Sequence, residues 1–260
     1  MLFRTSVIAS AALALVATMV EAHSWADCVD WRFNDPAKPG WRASDGKCFG
    51  WARQYPVNSG IQFGGLDSAD PSRHYQQNPK DFVPCSDKNH GIEPGADETR
   101  QNPISKAYGG RFGAMAATTA GKEICIRWPA KNHAKKDEPN NPVMINMPQT
   151  ILTKDPSQSG FTAANIAKLD YKNCNQISGD TDHTPCGGCF KVPAALASGT
   201  YVIQWRWMLN NNEYYTSCWD LQVKAAASGA TPTAAGGATP TDVPSLSNST
   251  TIFADLAEDN

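Results

Sequence analysis

The chain is short of net charge, of long apolar runs and of helical periodicity. Its 23 lysines and arginines stand against 25 aspartates and glutamates, a formal net charge of -2. Proteins that bind nucleic acid carry a clear basic surplus, so this balance argues for no nucleic-acid partner. Outside residues 7–20 no apolar stretch approaches the ~20 residues that cross a bilayer, which argues against an integral membrane protein. Helical patterns are scarce, and the best candidate is short, residues 163–169. No pair of carboxylates stands apart from the other acids, so hydrolysis by an acid/base couple has no marker here. Cys186-Gly-Gly-Cys189 lacks the second such pair that a zinc ribbon needs.

Both ends differ from the middle. Residues 7–20 are apolar behind Arg4, and Val20-Glu21-Ala22 puts small residues where a signal peptidase reads, so residues 1–22 read as a secretory signal peptide. From Ala225 aromatics nearly vanish, and Ala, Thr, Gly, Ser and Pro take over. Gly229-Ala-Thr-Pro-Thr233 recurs as Gly237-Ala-Thr-Pro-Thr241. Such a composition cannot bury enough apolar surface to offset chain entropy, so residues 225–260 read as a disordered, glycosylation-prone tail with one N-linked sequon, Asn248-Ser249-Thr250. Residues 23–224 remain, one domain by size. They hold 22 basic and 20 acidic residues and all eight cysteines. An even count in a secreted chain reads as four disulfides. A secreted, extracellular monomer is expected.

Strands are better marked than helices. Glu123-Ile-Cys-Ile-Arg-Trp128 sets Ile124, Ile126 and Trp128 against Cys125 and Arg127. Pro142-Val-Met-Ile-Asn146 is a second run, Thr200-Tyr-Val-Ile-Gln-Trp-Arg-Trp207 a third, and residues 214–223 a fourth. Gly, Pro and Asn clusters separate them, the pattern of an all-β, immunoglobulin-like or fibronectin-III-like antiparallel β-sandwich with short helices. Long loops such as residues 58–101 are expected to be functional and pinned by disulfides.

Cleavage after Ala22 makes His23 the first residue of the mature chain. Its α-amino group, with an ordinary pKa of about 7.7–8.0, gives up its proton to a metal near neutrality. The same residue offers an imidazole nitrogen, so one residue chelates through two nitrogens. Nitrogen-rich sites favour Cu(II), which tops the divalent affinity order. Of the other histidines, His133 directly follows a strong strand, where sandwich folds present functional residues. His74 and His90 read as surface residues of the long loop, and His183 sits beside Cys186. In Asn212-Glu-Tyr-Tyr-Thr-Ser-Cys-Trp-Asp220, strand alternation puts Glu213, Tyr215 and Ser217 on one face. On residues alone Tyr215 is better explained as core and Glu213 as solvated.

His23 behind its cleavage site, Asn132-His133 after a strand, Gly199-Thr-Tyr-Val-Ile-Gln-Trp-Arg-Trp207 and Glu213-Tyr-Tyr-Thr-Ser-Cys218 together resemble a lytic polysaccharide monooxygenase. Glu-x-Tyr-x-x-Cys is similar to the Gln-x-Tyr-x-x-Cys of the cellulose-active fungal group. His23-Ser-Trp-Ala-Asp-Cys28 and Cys48-Phe-Gly-Trp-Ala-Arg-Gln-Tyr-Pro56 most resemble the oomycete pectin-active group, auxiliary-activity family 17. The resemblance spans residues 23–223. It implies a single copper held by the His23 amine, the His23 imidazole and the His133 imidazole, with Tyr215 axial and Glu213 near the oxygen species. It implies an external electron donor, with hydrogen peroxide or dioxygen as co-substrate, and oxidation of a sugar carbon beside the glycosidic bond. It also implies disulfides Cys85–Cys218 and Cys28–Cys48.

Lys131, Lys135 and Lys136 flank His133, and such cations attract a polyanionic chain like homogalacturonan. Asp137 and Glu138 follow, as an ordinary solvated loop would have it. A crystalline-cellulose binder instead wants exposed aromatics in a flat row, for which Trp25, Trp31, Trp41 and Trp51 are the candidates. Three alternatives to the pectin-active enzyme stay open: a cellulose- or chitin-active monooxygenase, a histidine-brace copper carrier without glycan oxidation, and a wall or lectin-like protein without metal chemistry.

Overall fold

The computed structural model describes residues 24–55, 57, 75–77 (backbone only), 83–85, 103–130, 133–134, 140–175 and 184–227. Residues 1–22, read from the sequence as a signal peptide, and the residues beyond 227 lie outside the described residues. Among the described residues ten strands dominate: β1 Trp31–Phe33, β2 Gly46–Cys48, β3 Tyr75–Gln77, β4 Ala116–Thr119, β5 Glu123–Pro129, β6 Val143–Asn146, β7 Asn165–Leu169, β8 Pro185–Lys191, β9 Gly199–Asn210 and β10 Glu213–Lys224. The helices are short, α1 Ile104–Ala107 and α2 Gln158–Ala163. Among the described residues no helix is long and apolar enough to cross a membrane.

β9 and β10 form the spine. β9 is rich in β-branched and aromatic residues, which fit a pleated, packed surface. The turn to β10 is tight because Asn212 takes a left-handed conformation (φ 61°), which a short amide side chain tolerates. A six-stranded sheet runs β3-β10-β9-β6-β7, with β4 also on β10. β5 and β8 pair separately in register Ile124↔Phe190 through Trp128↔Cys186. Ile124, Ile126 and Trp128 of this pair pack with Ile145, Tyr201, Ile203, Trp205, Trp219 and Leu221 of the larger sheet in one apolar core. This is the expected β-sandwich, with one departure. β4 runs parallel to β10, pairing Leu221↔Ala116 through Lys224↔Thr119.

The helix expected over residues 163–169 is a strand. β7 pairs antiparallel with β6, Val143↔Leu169 to Asn146↔Asn165. The helix lies just before it. Ser157 caps it by accepting the Gly160 N–H on its Oγ (3.3 Å), and Ala164 ends it. A free sheet edge beside β6 outweighs the weak helical preference of so short a segment.

Four disulfides join Cys28–Cys48, Cys85–Cys218, Cys125–Cys189 and Cys174–Cys186. Both cysteines of the Cys-Gly-Gly-Cys motif are therefore bonded elsewhere, which removes them as zinc ligands. Its glycines have a packing role: a Cβ at Gly187 would enter the Trp41 ring. The one His/Cys/Asp/Glu cluster of metal-binding spacing among the described residues, Glu123 with Cys125 and Cys189, contains a disulfide.

Both faces of the large sheet are covered. The outer face carries a polar layer. Arg53 is closed to solvent and binds Asp220 through Nε and Nη2 (2.9 and 2.8 Å) and Asp155 through Nη1 and Nη2 (2.8 and 2.9 Å). Gln204 and Gln158 exchange amide hydrogen bonds (3.0 and 2.9 Å), and Gln204 also donates to the Pro84 carbonyl. These contacts and Cys85–Cys218 fasten the loops to the sheet.

Candidate metal centre

β5 ends at Pro129, and the chain leads four residues on to His133, which is buried. The His133 ring lies 5.7 Å from the Trp207 ring. Tyr215, 2% exposed, lies 5.9 Å from the same ring. Strand pairing dictates this, because Tyr215 is the cross-strand partner of Trp207 in the β9–β10 ladder. Tyr171 stacks on another part of Trp207 at 3.7 Å and 7°. An imidazole and a phenol thus share one indole platform.

The N-terminal segment arrives at the same place. Ser24 is fully buried, and its Oγ donates to the Pro129 carbonyl (2.9 Å). The Ala26 amide donates to Ser217 Oγ (3.0 Å), two residues along β10 from Tyr215. Asp27 N–H bonds the Arg127 carbonyl (3.0 Å), and Cys28 bridges Arg127. Residues 24–28 therefore run between β5 and β10, anchored at the end of one and beside the phenol of the other.

The surroundings are apolar with isolated polar ties. Burial pushes the Tyr171 phenol well above its usual range, while a hydrogen bond with Ser24 acts the other way. Its hydroxyl donates to the Ala130 carbonyl (2.9 Å), so it serves as a neutral donor that fixes the backbone leading to His133. Burial also raises the Asp27 carboxyl against the opposing pull of Arg127, whose Nη2 lies 2.6 Å away.

Of the residues singled out from the sequence, the structure brings His133 and Tyr215 together around Trp207. Glu213 sits at the β9–β10 turn, half-buried, and accepts from Asn210 Nδ2 (2.6 Å). A register shift between Glu213 and Tyr214 separates it from the regular ladder. His23, Lys131, Lys135 and Lys136 lie outside the described residues, as do His74, His90 and His183. Trp25, Trp31 and Trp41 are buried and Trp51 is half-buried, so these four form no exposed aromatic row. Sequence reasoning missed Trp207 and Tyr171 as organisers of the site. The alternation Trp205-Arg-Trp207 puts both indoles on one face of the strand, but nothing local ties that face to His133.

No known protein family matches the chain, and no curated protein does. Solved structures similar to it include HiLPMO9B, at 17% identity over 46% of this chain and 56% of that one, with a TM-score of 0.29. A lytic polysaccharide monooxygenase important for chitin utilization in Cellvibrio japonicus matches at 13% identity, covering 61% of this chain and 79% of that one, TM-score 0.34. A cellulose-active polysaccharide monooxygenase from M. thermophila matches at 17%, covering 61% and 80%, TM-score 0.28. The chain thus spans little more than half of HiLPMO9B. At such identities and TM-scores these likenesses assign no chemistry to it.

Proposed function

We propose that the mature chain begins at His23 and is a secreted copper-dependent monooxygenase that cleaves a plant cell-wall polysaccharide oxidatively, with homogalacturonan as substrate. One observation carries the reading. Ser24, the residue bonded to His23, is buried and tied to Pro129, while Ala26 is tied to Ser217 beside Tyr215. Consecutive Cα atoms are 3.8 Å apart, so a chain starting at His23 would begin one such step from the buried Ser24.

The donor set fits copper. In this reading the His23 amine and imidazole and the His133 imidazole supply nitrogen, Tyr215 supplies a phenol oxygen, and Glu213 provides a nearby carboxylate. Nitrogen-rich sets of this kind suit Cu(II) above other divalent ions. Copper held there and reduced by an external donor would activate peroxide or dioxygen, the oxidant, toward a sugar C–H bond.

The chain's own part is positional. Trp207 and Tyr171 hold His133 and Tyr215 against rigid β-structure, which limits their rotamers. The buried indoles around them exclude water from the inner side. Lys131, Lys135 and Lys136 would draw an anionic chain toward His133 by long-range attraction. The test is product mass spectrometry on homogalacturonan, cellulose and chitin, with copper, reductant and peroxide. Oxidised oligogalacturonides support the reading, and oxidised products from cellulose or chitin alone reassign the substrate. Tight copper binding without products from any glycan turns the reading toward a copper carrier, and absence of copper binding removes it.

A further inference from the structure

Arg206 sits on β9 between Trp205 and Trp207, so its side chain leaves the sheet on the face opposite those indoles. It is 9% exposed, and its guanidinium carbon lies 3.6 Å from the centroid of the Tyr214 ring. Nε and Nη2 have no hydrogen-bond acceptor. Burial pushes the guanidinium pKa down to about 10, with Tyr214 acting in the opposite sense, so the group remains a cation at neutral pH. A buried cation whose donors lack acceptors is costly unless something completes it.

The same molecule shows what this edge of a guanidinium takes. Nε and Nη2 are the two side-on donors of arginine. Arg53 uses them for Asp220, Arg127 for Asp27 and Arg32 for Asp30. Each partner is a carboxylate, whose two oxygens match the planar fork. Arg206 differs in having no carboxylate on that edge.

It also lines a cleft of about 250 Å³ with Tyr214, Met144, Met208, Asn146 and Thr162. Met144 is the cross-strand partner of Arg206, and Met208 follows it on the same face of β9. The volume falls just below the usual ligand range of about 300–1,000 Å³, which suits a molecule of one ring. Thioethers favour aromatic rings, and their flexible side chains yield to an entering ligand. Arg206 is the one cation among the described lining residues, which matches a single negative charge.

We propose that this cleft binds a small aromatic carboxylate, its carboxylate held side-on by Nε and Nη2 of Arg206 and its ring against Met144 and Met208. Both nitrogens are closed to water in this conformation, so entry displaces the half-exposed Tyr214 ring or a methionine side chain. The site lies across the sheet from Trp207 and Tyr215, and it does not depend on the copper reading.

The test is calorimetric titration of the full mature chain, kept metal-free with chelator, against benzoate and against uncharged benzamide. Benzoate is expected to bind, and benzamide at least about tenfold more weakly, since it lacks the charge-assisted pair. Arg206→Lys keeps the charge but loses the fork, and a similar loss for benzoate is expected. If that variant does not fold, the benzoate–benzamide comparison on the parent still decides. Equal affinity for the two ligands, no benzoate binding at millimolar concentration, or unchanged binding by folded Arg206→Lys overturns the proposal. So does displacement of benzoate by inorganic phosphate more readily than by toluate. Because no copper is present, neither result bears on the metal centre.

Discussion

The bond from the Ala26 amide to Ser217 Oγ ties the N-terminal segment to the strand that carries Tyr215. Ser217→Ala removes the acceptor and little else. Ala26 is 0% and Ser217 1% exposed, so water cannot replace the hydroxyl without local opening. A buried amide left without an acceptor costs about 1–3 kcal/mol. In a domain of this size each kcal/mol lowers the melting temperature by about 2–4 °C, so the expected drop is about 2–12 °C. The same loss frees the N-terminal segment beside Tyr215. Amide exchange at Ala26 should therefore accelerate more than exchange in the β5–β8 pair. If His23 completes the site, copper should bind at least about threefold more weakly, a shift of ~0.7 kcal/mol. Ser198→Ala is the control, because Ser198 Oγ accepts the Ala225 amide (2.9 Å) at an exposed position where water substitutes. Scanning calorimetry, exchange mass spectrometry and copper titration read the three effects. A melting temperature within about 1 °C of the parent, with Ala26 exchange unchanged, refutes the anchoring. A destabilised variant with unchanged copper affinity keeps the anchor but detaches it from the metal.

Adding one residue before His23 should abolish tight copper binding, because the α-amino group leaves the chelate. An extended chain that titrates like the mature one removes the histidine brace. Replacing Lys131, Lys135 and Lys136 together by Ala should lower oxidation of homogalacturonan far more than of neutral glycans. The difference should shrink as salt rises, since the Debye length is about 8 Å at physiological ionic strength. Equal activity of the parent on esterified and de-esterified polymer removes this electrostatic reading. Arg53→Met leaves Asp155 and Asp220 buried without their cation, at an expected cost of about 3–5 kcal/mol in chemical denaturation. A smaller loss in that variant shows that the two acids take up protons or water instead.

Much of the sandwich is legible in period-two patterning. The runs around Ile124, Ile145, Ile203 and Trp219 all became core strands because their apolar alternation and β-branched content agree with the fold. Residues 163–169 misled because a short segment of mixed preference takes its structure from a neighbour, here the edge of β6. The parallel β4–β10 pair was illegible for a related reason. Sequence alternation specifies which side chains face inward, and it leaves the direction of the adjoining strand to long-range connections. At the site, His133 stood out by residue type and by its place after a strand, and Tyr215 only through the resemblance of its motif. Their common contact with Trp207 needed the β9–β10 register and the loop beyond β5, neither of which local sequence encodes.

Alternation also misleads where both faces are covered. Gln204, Arg206, Thr216 and Asp220 occupy the polar half of the pattern and read as solvent-facing, yet all four are buried. Loop residues lie over Gln204 and Asp220, secured by Cys85–Cys218, by Gln204 to the Pro84 carbonyl and by the reach of Arg53 to Asp155 and Asp220. Burying a polar layer is tolerable only where its groups are paired. Gln204 pairs with Gln158 and Asn146, and Asp220 with Arg53 and Tyr108. Arg206 is the member of this layer whose Nε and Nη2 lack acceptors, and it lies where the layer opens into a cleft. One pair of strands therefore presents two chemically opposed faces. On one face Trp207 lies between His133 and Tyr215, and on the other Arg206 and Tyr214 line a cleft. A substitution that flips the register of β9 by one residue would exchange the two sets and destroy both sites at once. That shared dependence ties both the candidate metal centre and the Arg206 cleft to the Asn212 turn, where the register of β9 against β10 is set.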